Sequence, residues 1–239
     1  MSEFQYHEFK AVDKPLNKDA LALLRRSSSR AHVTPTSFSN EYSYGDLKGD
    51  PAVWMERYFD AHLFIASWGT RVLDLGLSVK RLSLATARRY CDGGSARSRT
   101  KAGKLLLSFV SDDDDGEFVD NANGQLQPLL SLRSELASGD LRCLYLGWLL
   151  RVQNGEIADD LLEPPIPPSL GRPGKSLKAF VEFLHLDQDL VHAASLHSEP
   201  VGLTRSSIGH RTAGDLLSYA AAFPKKRRGK RSTKRRSDV

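Results

Sequence analysis

Nine of the twelve residues at positions 225–236 are basic: Lys225, Lys226, Arg227, Arg228, Lys230, Arg231, Lys234, Arg235 and Arg236. Ammonium and guanidinium groups at that density repel one another and attract phosphates and other polyanions. No aromatic side chain interrupts them, so the stretch can contact phosphate but cannot read a base. These nine are the candidate polyanion-binding residues. The whole chain carries 34 Lys and Arg against 29 Asp and Glu, a formal charge of +5. Positions 225–239 hold nine basic residues and one acidic residue, so the remaining body is at −3.

Three other groupings have the residue types of a reactive site. Asp46, Asp50, Glu56, Asp60 and His62 cluster in sequence, and carboxylates gathered in space can hold a divalent cation. The segment 45–60 is therefore where an unrecognised active site would lie. Each member also has a plainer role: Asp50 precedes Pro51 as a helix cap, and Glu56 and Asp60 are four apart on a polar helix face beside Arg57. Glu182-x-x-His185 matches one half of a di-iron carboxylate site, and Asp189-x-x-His192 resembles it. That chemistry needs two complete motifs and two further glutamates, which the sequence does not offer. His185 and His192 are expected to share a helical face from which His197 turns away, and all three read as partly buried helix histidines. The run from Asp112 through Asp115 lacks the alternation and the closing glutamate of a calcium loop, and reads as a solvated turn. No GxSxG, P-loop, GxGxxG after a strand, HExxH or CxxC pair occurs, which argues against the hydrolase, NTPase, dehydrogenase and zinc chemistries those motifs serve. No catalytic residue, metal site or cofactor is assigned.

The elements that would position these residues follow from periodicity. Residues 4–12 alternate, with Gln5, His7 and Phe9 on one side and Tyr6, Glu8 and Lys10 on the other, and predict a strand. A helix follows with Leu16, Ala20, Leu23 and Leu24 at helical spacing. Residues 31–44 favour strand, and Pro35 makes it an edge strand or an irregular one. Asp50-Pro51 starts a helix. Trp54, Tyr58, Ala61, Ile65 and Trp68 continue one stripe to Gly69, so a single long buried helix is predicted there. Leu73, Leu75 and Leu77 alternate with Val72, Asp74 and Gly76 in a half-buried strand. A short helix over 84–90 and a hairpin of 96–100 with 104–110 complete the first part.

Beyond residue 124 the pattern is helical. Segments 126–137 and 141–152 are followed by the stiff connector Pro164-Pro165-Ile166-Pro167-Pro168. Further helices are predicted at 175–186, 188–197 and 212–222. Trp54, Trp68 and Trp148 each sit on an inferred apolar stripe and are predicted to be structural.

Val33-Thr34-Pro35-Thr36-Ser37-Phe38, Gly45-Asp46-Leu47-Lys48-Gly49-Asp50-Pro51, Met55-Glu56-Arg57-Tyr58-Phe59-Asp60-Ala61 and Trp68-Gly69-Thr70-Arg71 stand in order. Gly139-Asp140-Leu141-Arg142, Tyr145-Leu146-Gly147-Trp148-Leu149 and Leu162-Glu163-Pro164-Pro165-Ile166-Pro167-Pro168 follow them. Over roughly residues 1–197 this resembles a family of bacterial proteins of unknown function. The resemblance implies no activity, cofactor or catalytic residue. Family members continue as a longer helical region of mixed charge, whereas this sequence continues as the basic tail.

The expected architecture is α+β. Residues 1–122 form a mixed or antiparallel sheet with helices, 123–224 an all-helical region containing the 164–168 connector, and 225–239 a disordered basic tail. The N-terminus lacks a secretory pattern and no apolar run reaches the roughly 20 residues of a membrane span. Cys91 and Cys143 form no CxxC pair and read as free thiols. The chain is therefore expected in the cytoplasm, away from membranes. The leading expectation is a non-enzymatic module that binds a protein partner and touches nucleic acid without sequence preference through the tail. The alternatives are an enzyme with its site near residues 45–60 and a nucleic-acid-binding protein proper.

Overall fold

A computed structural model describes residues 4–43, 45–112, 122–198 and 211–223. Its frame is one eight-stranded sheet, antiparallel throughout, with helices: an α+β fold. The strands are β1 (Gln5–Lys10), β2 (His32–Thr34), β3 (Ser37–Tyr42), β4 (Ala61–Ala66), β5 (Thr70–Ser78), β6 (Asp92–Gly93), β7 (Ala96–Lys101) and β8 (Lys104–Asp112). They lie in the order β2-β3-β1-β4-β5-β8-β7-β6. Pro35 falls in the turn joining β2 to β3, and β2 is an edge strand, where a missing amide donor costs no ladder bond. The β7–β8 hairpin turns through Ala102 and Gly103, both at positive φ (49° and 78°), which suits a two-residue hairpin loop.

The first face of the sheet carries most of the core. Tyr6, Leu63, Ile65, Leu73, Leu75, Leu77, Leu105, Leu107 and Phe109 all point there. Covering them are α3 (Leu84–Arg88), α4 (Ser131–Ala137), α5 (Arg142–Gln153), α6 (Lys175–Phe183), α7 (Gln188–Ser195) and α8 (Ala213–Ala221). Within α5 every residue from 143 to 150 is buried, so the helix is apolar all round and lies inside the molecule. Phe180 of α6 meets Phe109 edge-on with ring centroids 4.9 Å apart. Among the described residues after β8 the regular elements are helical, apart from an isolated bridge between Leu162 and Thr212. No helix among the described residues is long and apolar enough to cross a membrane.

Among the described residues, the second face is covered only at one end. There α1 (Lys18–Ser27) and α2 (Pro51–Arg57) pack Leu24, Trp54, Met55 and Phe59 onto Phe9, Phe38 and Leu106. Asn17 caps α1 by accepting from the Ala20 amide at 2.8 Å, and Asp50 caps α2 through the Ala52 amide at 2.8 Å.

One prediction fails in this region. The helix beginning at Pro51 does not run to Gly69; it stops at Arg57, and residues 61–66 form β4. Ala61, Leu63 and Ile65 face one layer of the sheet while His62, Phe64 and Ala66 face the other, and only Phe64 is less than fully buried. A run apolar on both faces has no period-two signature, and the spacing of Tyr58, Ala61 and Ile65 imitates a helix by coincidence. The chain breaks at Asp60, whose amide donates to the Lys10 carbonyl at 2.8 Å. Trp68 consequently sits in the β4–β5 turn, 47% exposed, while Trp54 and Trp148 are 4% and 2% exposed.

Candidate functional site

The antiparallel register lays the second face out as rows of side chains. One row runs His7, Phe64, Val72, Val110 across β1, β4, β5 and β8; the next runs Phe9, His62, Asp74, Ser108, Arg97 and ends on β7. A third, on the other side of the first, holds Ala66, Thr70 and Asp112. The middle of this surface belongs to neither apolar cluster: Phe64, Val72 and Val110 are half-buried, held only by their neighbours in the sheet. Trp68 stands at its margin with its ring centroid 6.4 Å from that of Phe64.

Beneath the covered edge of this surface lies a chain of polar groups. Asp74 Oδ2 is 2.7 Å from His62 Nδ1, and His62 Nε2 is 3.1 Å from His7 Nδ1. A carboxylate only accepts, so His62 donates from Nδ1. His62 Nε2 then accepts from His7 Nδ1, which leaves His7 Nε2 as a bare acceptor. That nitrogen has no hydrogen-bond partner among the described residues, and the Tyr42 ring packs edge-on to His7 with centroids 6.1 Å apart. Burial pushes the His7 pKa down to about 3, and the neighbouring His62 pushes the same way. The arrangement has the order of a carboxylate–histidine relay, but its free end is a weakly basic nitrogen buried beside Phe64 and Phe9. It fixes three strands together, and its terminal imidazole nitrogen is buried out of a substrate's reach.

The carboxylates of the 45–60 segment do not converge. Asp46 accepts from the amide of Leu47 at 2.7 Å, Asp50 caps α2, and Glu56 of α2 pairs with Arg99 of β7 at 2.5 Å. Asp60 is not on a helix with Glu56. It accepts from the Val12 and Asp13 amides at 2.8 and 2.9 Å and pairs with Lys104 at 3.0 Å. Burial pushes its pKa up, but the amides and the Lys104 ammonium outweigh it, and the carboxyl is held below its usual range. Lys104 in turn donates to the carbonyls of Met55 and Phe59. These bonds weld the α2–β4 turn to β8 and to the β1–α1 loop, a structural task.

The histidine candidates separate likewise. His185 does not share a helical face with His192: it lies beyond the end of α6 at φ 52°. His192 is exposed on α7 against the Phe223 ring, and His197 Nδ1 lies 2.8 Å from an Arg211 guanidinium nitrogen. Among the described residues no group of three His, Cys, Asp or Glu is placed to hold a metal.

Sequence reasoning passed over a second buried polar centre. Arg211 clamps Glu163 with two hydrogen bonds of 2.8 Å, and Tyr145 donates to the same carboxylate. Burial, and then the Glu163 charge, raise the Tyr145 pKa. The clamp holds the 211 segment on α5. Cys91 and Cys143 are free and buried, and burial raises both thiol pKa values, which leaves them unreactive. A shallow depression of about 150 Å3 lined by Ser169, Gly171, Arg172, Ser195 and Ser198 falls below the roughly 300 Å3 of ordinary ligand pockets. The nine basic candidates from Lys225 to Arg236, and Asp113, Asp114 and Asp115, lie outside the described residues. Comparison of the chain with protein-family models, curated proteins and solved structures returned no match.

Proposed function

We propose that this protein is a cytoplasmic, non-enzymatic protein-interaction module, with a helical C-terminal region over 123–224 and a basic tail that adds affinity for polyanions. One observation carries the reading: the row Phe64, Val72, Val110 lies open on the sheet outside both apolar clusters, with Trp68 exposed at its margin. An open apolar surface edged with polar groups is what a partner buries. Asp50, Glu56 and Asp60, which suggested chemistry, are occupied in a helix cap and two ion pairs, and this supports a binding role.

The experiment is an affinity capture from the native cell with the full chain, its Val72→Asp variant and a form ending at residue 224. Loss of a specific protein with Val72→Asp, and of nucleic acid with the shortened form, is the expected result. The nucleic-acid component should ignore sequence and weaken with salt at a log–log slope of about −0.9 per phosphate contacted on duplex DNA. Capture indifferent to Val72→Asp rejects the sheet face as the interaction surface.

A further inference from the structure

We infer that the open face of the sheet is self-complementary and that its occupant is a second copy of this chain. The inference rests on the interaction-module reading and names the partner. Place a two-fold axis between two facing sheets, parallel to the row Phe64, Val72, Val110. Each residue of that row then meets the same row of the other copy, so the apolar strip is buried against itself. On β5, β8 and β7 the rows on either side exchange places; on β1 and β4 the Phe9 and His62 positions are buried and stay outside the contact. Asp112, on one side, comes over the β8 and β7 positions on the other, Ser108 and Arg97. Thr70 comes over Asp74.

The chemistry of those exchanged rows is matched. Asp112 and Arg97 are both exposed, and neither has an ion-pair partner among the described residues. Each copy thus offers an unused carboxylate on one side of the axis and an unused guanidinium on the other, which two-fold symmetry pairs twice. The Thr70 hydroxyl is a donor placed over a carboxylate that uses only Oδ2 internally. A unipolar patch would repel its own image; this one attracts it. The short strand β6 and the three-residue β2 at the two edges make edge-to-edge extension a poorer route to self-association.

Size sets the strength. Four strands at about 4.8 Å and three rows at roughly 6.8 Å outline a footprint on the order of 300 Å2. Two such faces bury on the order of 600 Å2 together, below the roughly 1,200 Å2 at which standard specific interfaces begin and in the range of weak, transient contacts. The dimer is therefore weak, dissociating in the micromolar range.

Sedimentation equilibrium of the full chain from about 1 to 300 μM tests this. The expected wild-type result is a reversible monomer–dimer equilibrium. Arg97→Asp and Asp112→Arg each set like charges opposite one another twice, and each should weaken the dimer more than tenfold. The double variant Arg97→Asp/Asp112→Arg should restore it to within a few-fold of wild type. Both sites of change are exposed, and unchanged thermal midpoints confirm that the fold is intact. A chain monomeric at every concentration, a dimer indifferent to both single reversals, or a double variant weaker than either single one overturns the proposal. Monomeric protein that still loses a captured partner with Val72→Asp rejects self-association alone; monomeric protein with capture unaffected rejects the interaction face as well.

Discussion

His7 Nδ1 and His62 Nε2 face each other at 3.1 Å between adjacent strands, and Asp74 on the far side of His62 is the carboxylate that completes the chain. Two imidazolium ions cannot share that distance in a buried setting. His7 keeps its proton off until about pH 3, against an ordinary value of 6.5. Above 6.5 the group is neutral whether the chain is folded or not, and its contribution to stability is complete. As pH falls through 6.5 the unfolded chain takes up a proton that the folded chain refuses. Stability should therefore drop towards pH 3, by about 1.4 kcal/mol per pH unit from this group. Urea unfolding between pH 4 and 8 measures the slope. His7→Gln retains a donor for His62 and removes the titration, so its slope should be shallower by about that amount; equal slopes would refute the assignment.

Asp60 is the stronger structural carboxylate. Asp60→Ala strips acceptors from two backbone amides and leaves the Lys104 ammonium, 22% exposed, without its counter-charge. Removing one partner of a largely buried pair costs about 3–5 kcal/mol. Asp60→Asn keeps an oxygen for the amides and should cost clearly less. Because its pKa is depressed, the stability it supplies is present above the ordinary carboxyl value and fades only as pH falls below it. An Asp60→Ala protein within 1 kcal/mol of wild type in urea titration would show that the network is dispensable.

The tryptophans divide by environment. Trp148→Ala empties a buried site on α5 and should cost about 3–5 kcal/mol. Trp68→Ala removes a half-exposed ring from a turn and should stay within about 1 kcal/mol in the monomer. Thermal melts of dilute protein decide between them. Comparable losses would place Trp68 in a core where the structure does not.

What was legible in the sequence had local causes. Asp50-Pro51 announced the start of α2 because capping is a matter of adjacent residues, and Leu105, Leu107 and Phe109 announced β8 because their alternation is local. Ala61–Ala66 was illegible because both of its faces are covered, so the alternation that marks a strand is erased. Placing His7, Phe9 and Gln5 on one side of β1 was correct, yet nothing in the spacing aligned His7 with His62, 55 residues away, or His62 with Asp74. Those contacts are set by register, and register is decided by how the whole sheet pairs. The open row of Phe64, Val72 and Val110 was hidden for the same reason, with the added obstacle that Phe64 had been placed within a helix.

Gly147 gives a final test of the packing between α5 and the sheet. It lies inside a helix at ordinary dihedrals, where Gly→Ala normally stabilises by about 1 kcal/mol. Here a Cβ would sit 2.5 Å from Cε1 of Phe109 and 3.1 Å from the Cys91 sulfur. Phe109 cannot withdraw, because it is fully buried on the central strand β8 and wedged edge-on against Phe180. Overpacking of this kind costs about 1–3 kcal/mol, enough to cancel or reverse the helix gain. Gly147→Ala should therefore be neutral to destabilising. Phe109→Leu destabilises by itself, but it removes the ring atoms that the new methyl would strike. In the Phe109→Leu background Gly147→Ala should become less costly or stabilising, a coupling of at least about 1 kcal/mol in a double-mutant cycle. Additive effects of the two changes would mean that α5 does not approach β8 as closely as these distances require.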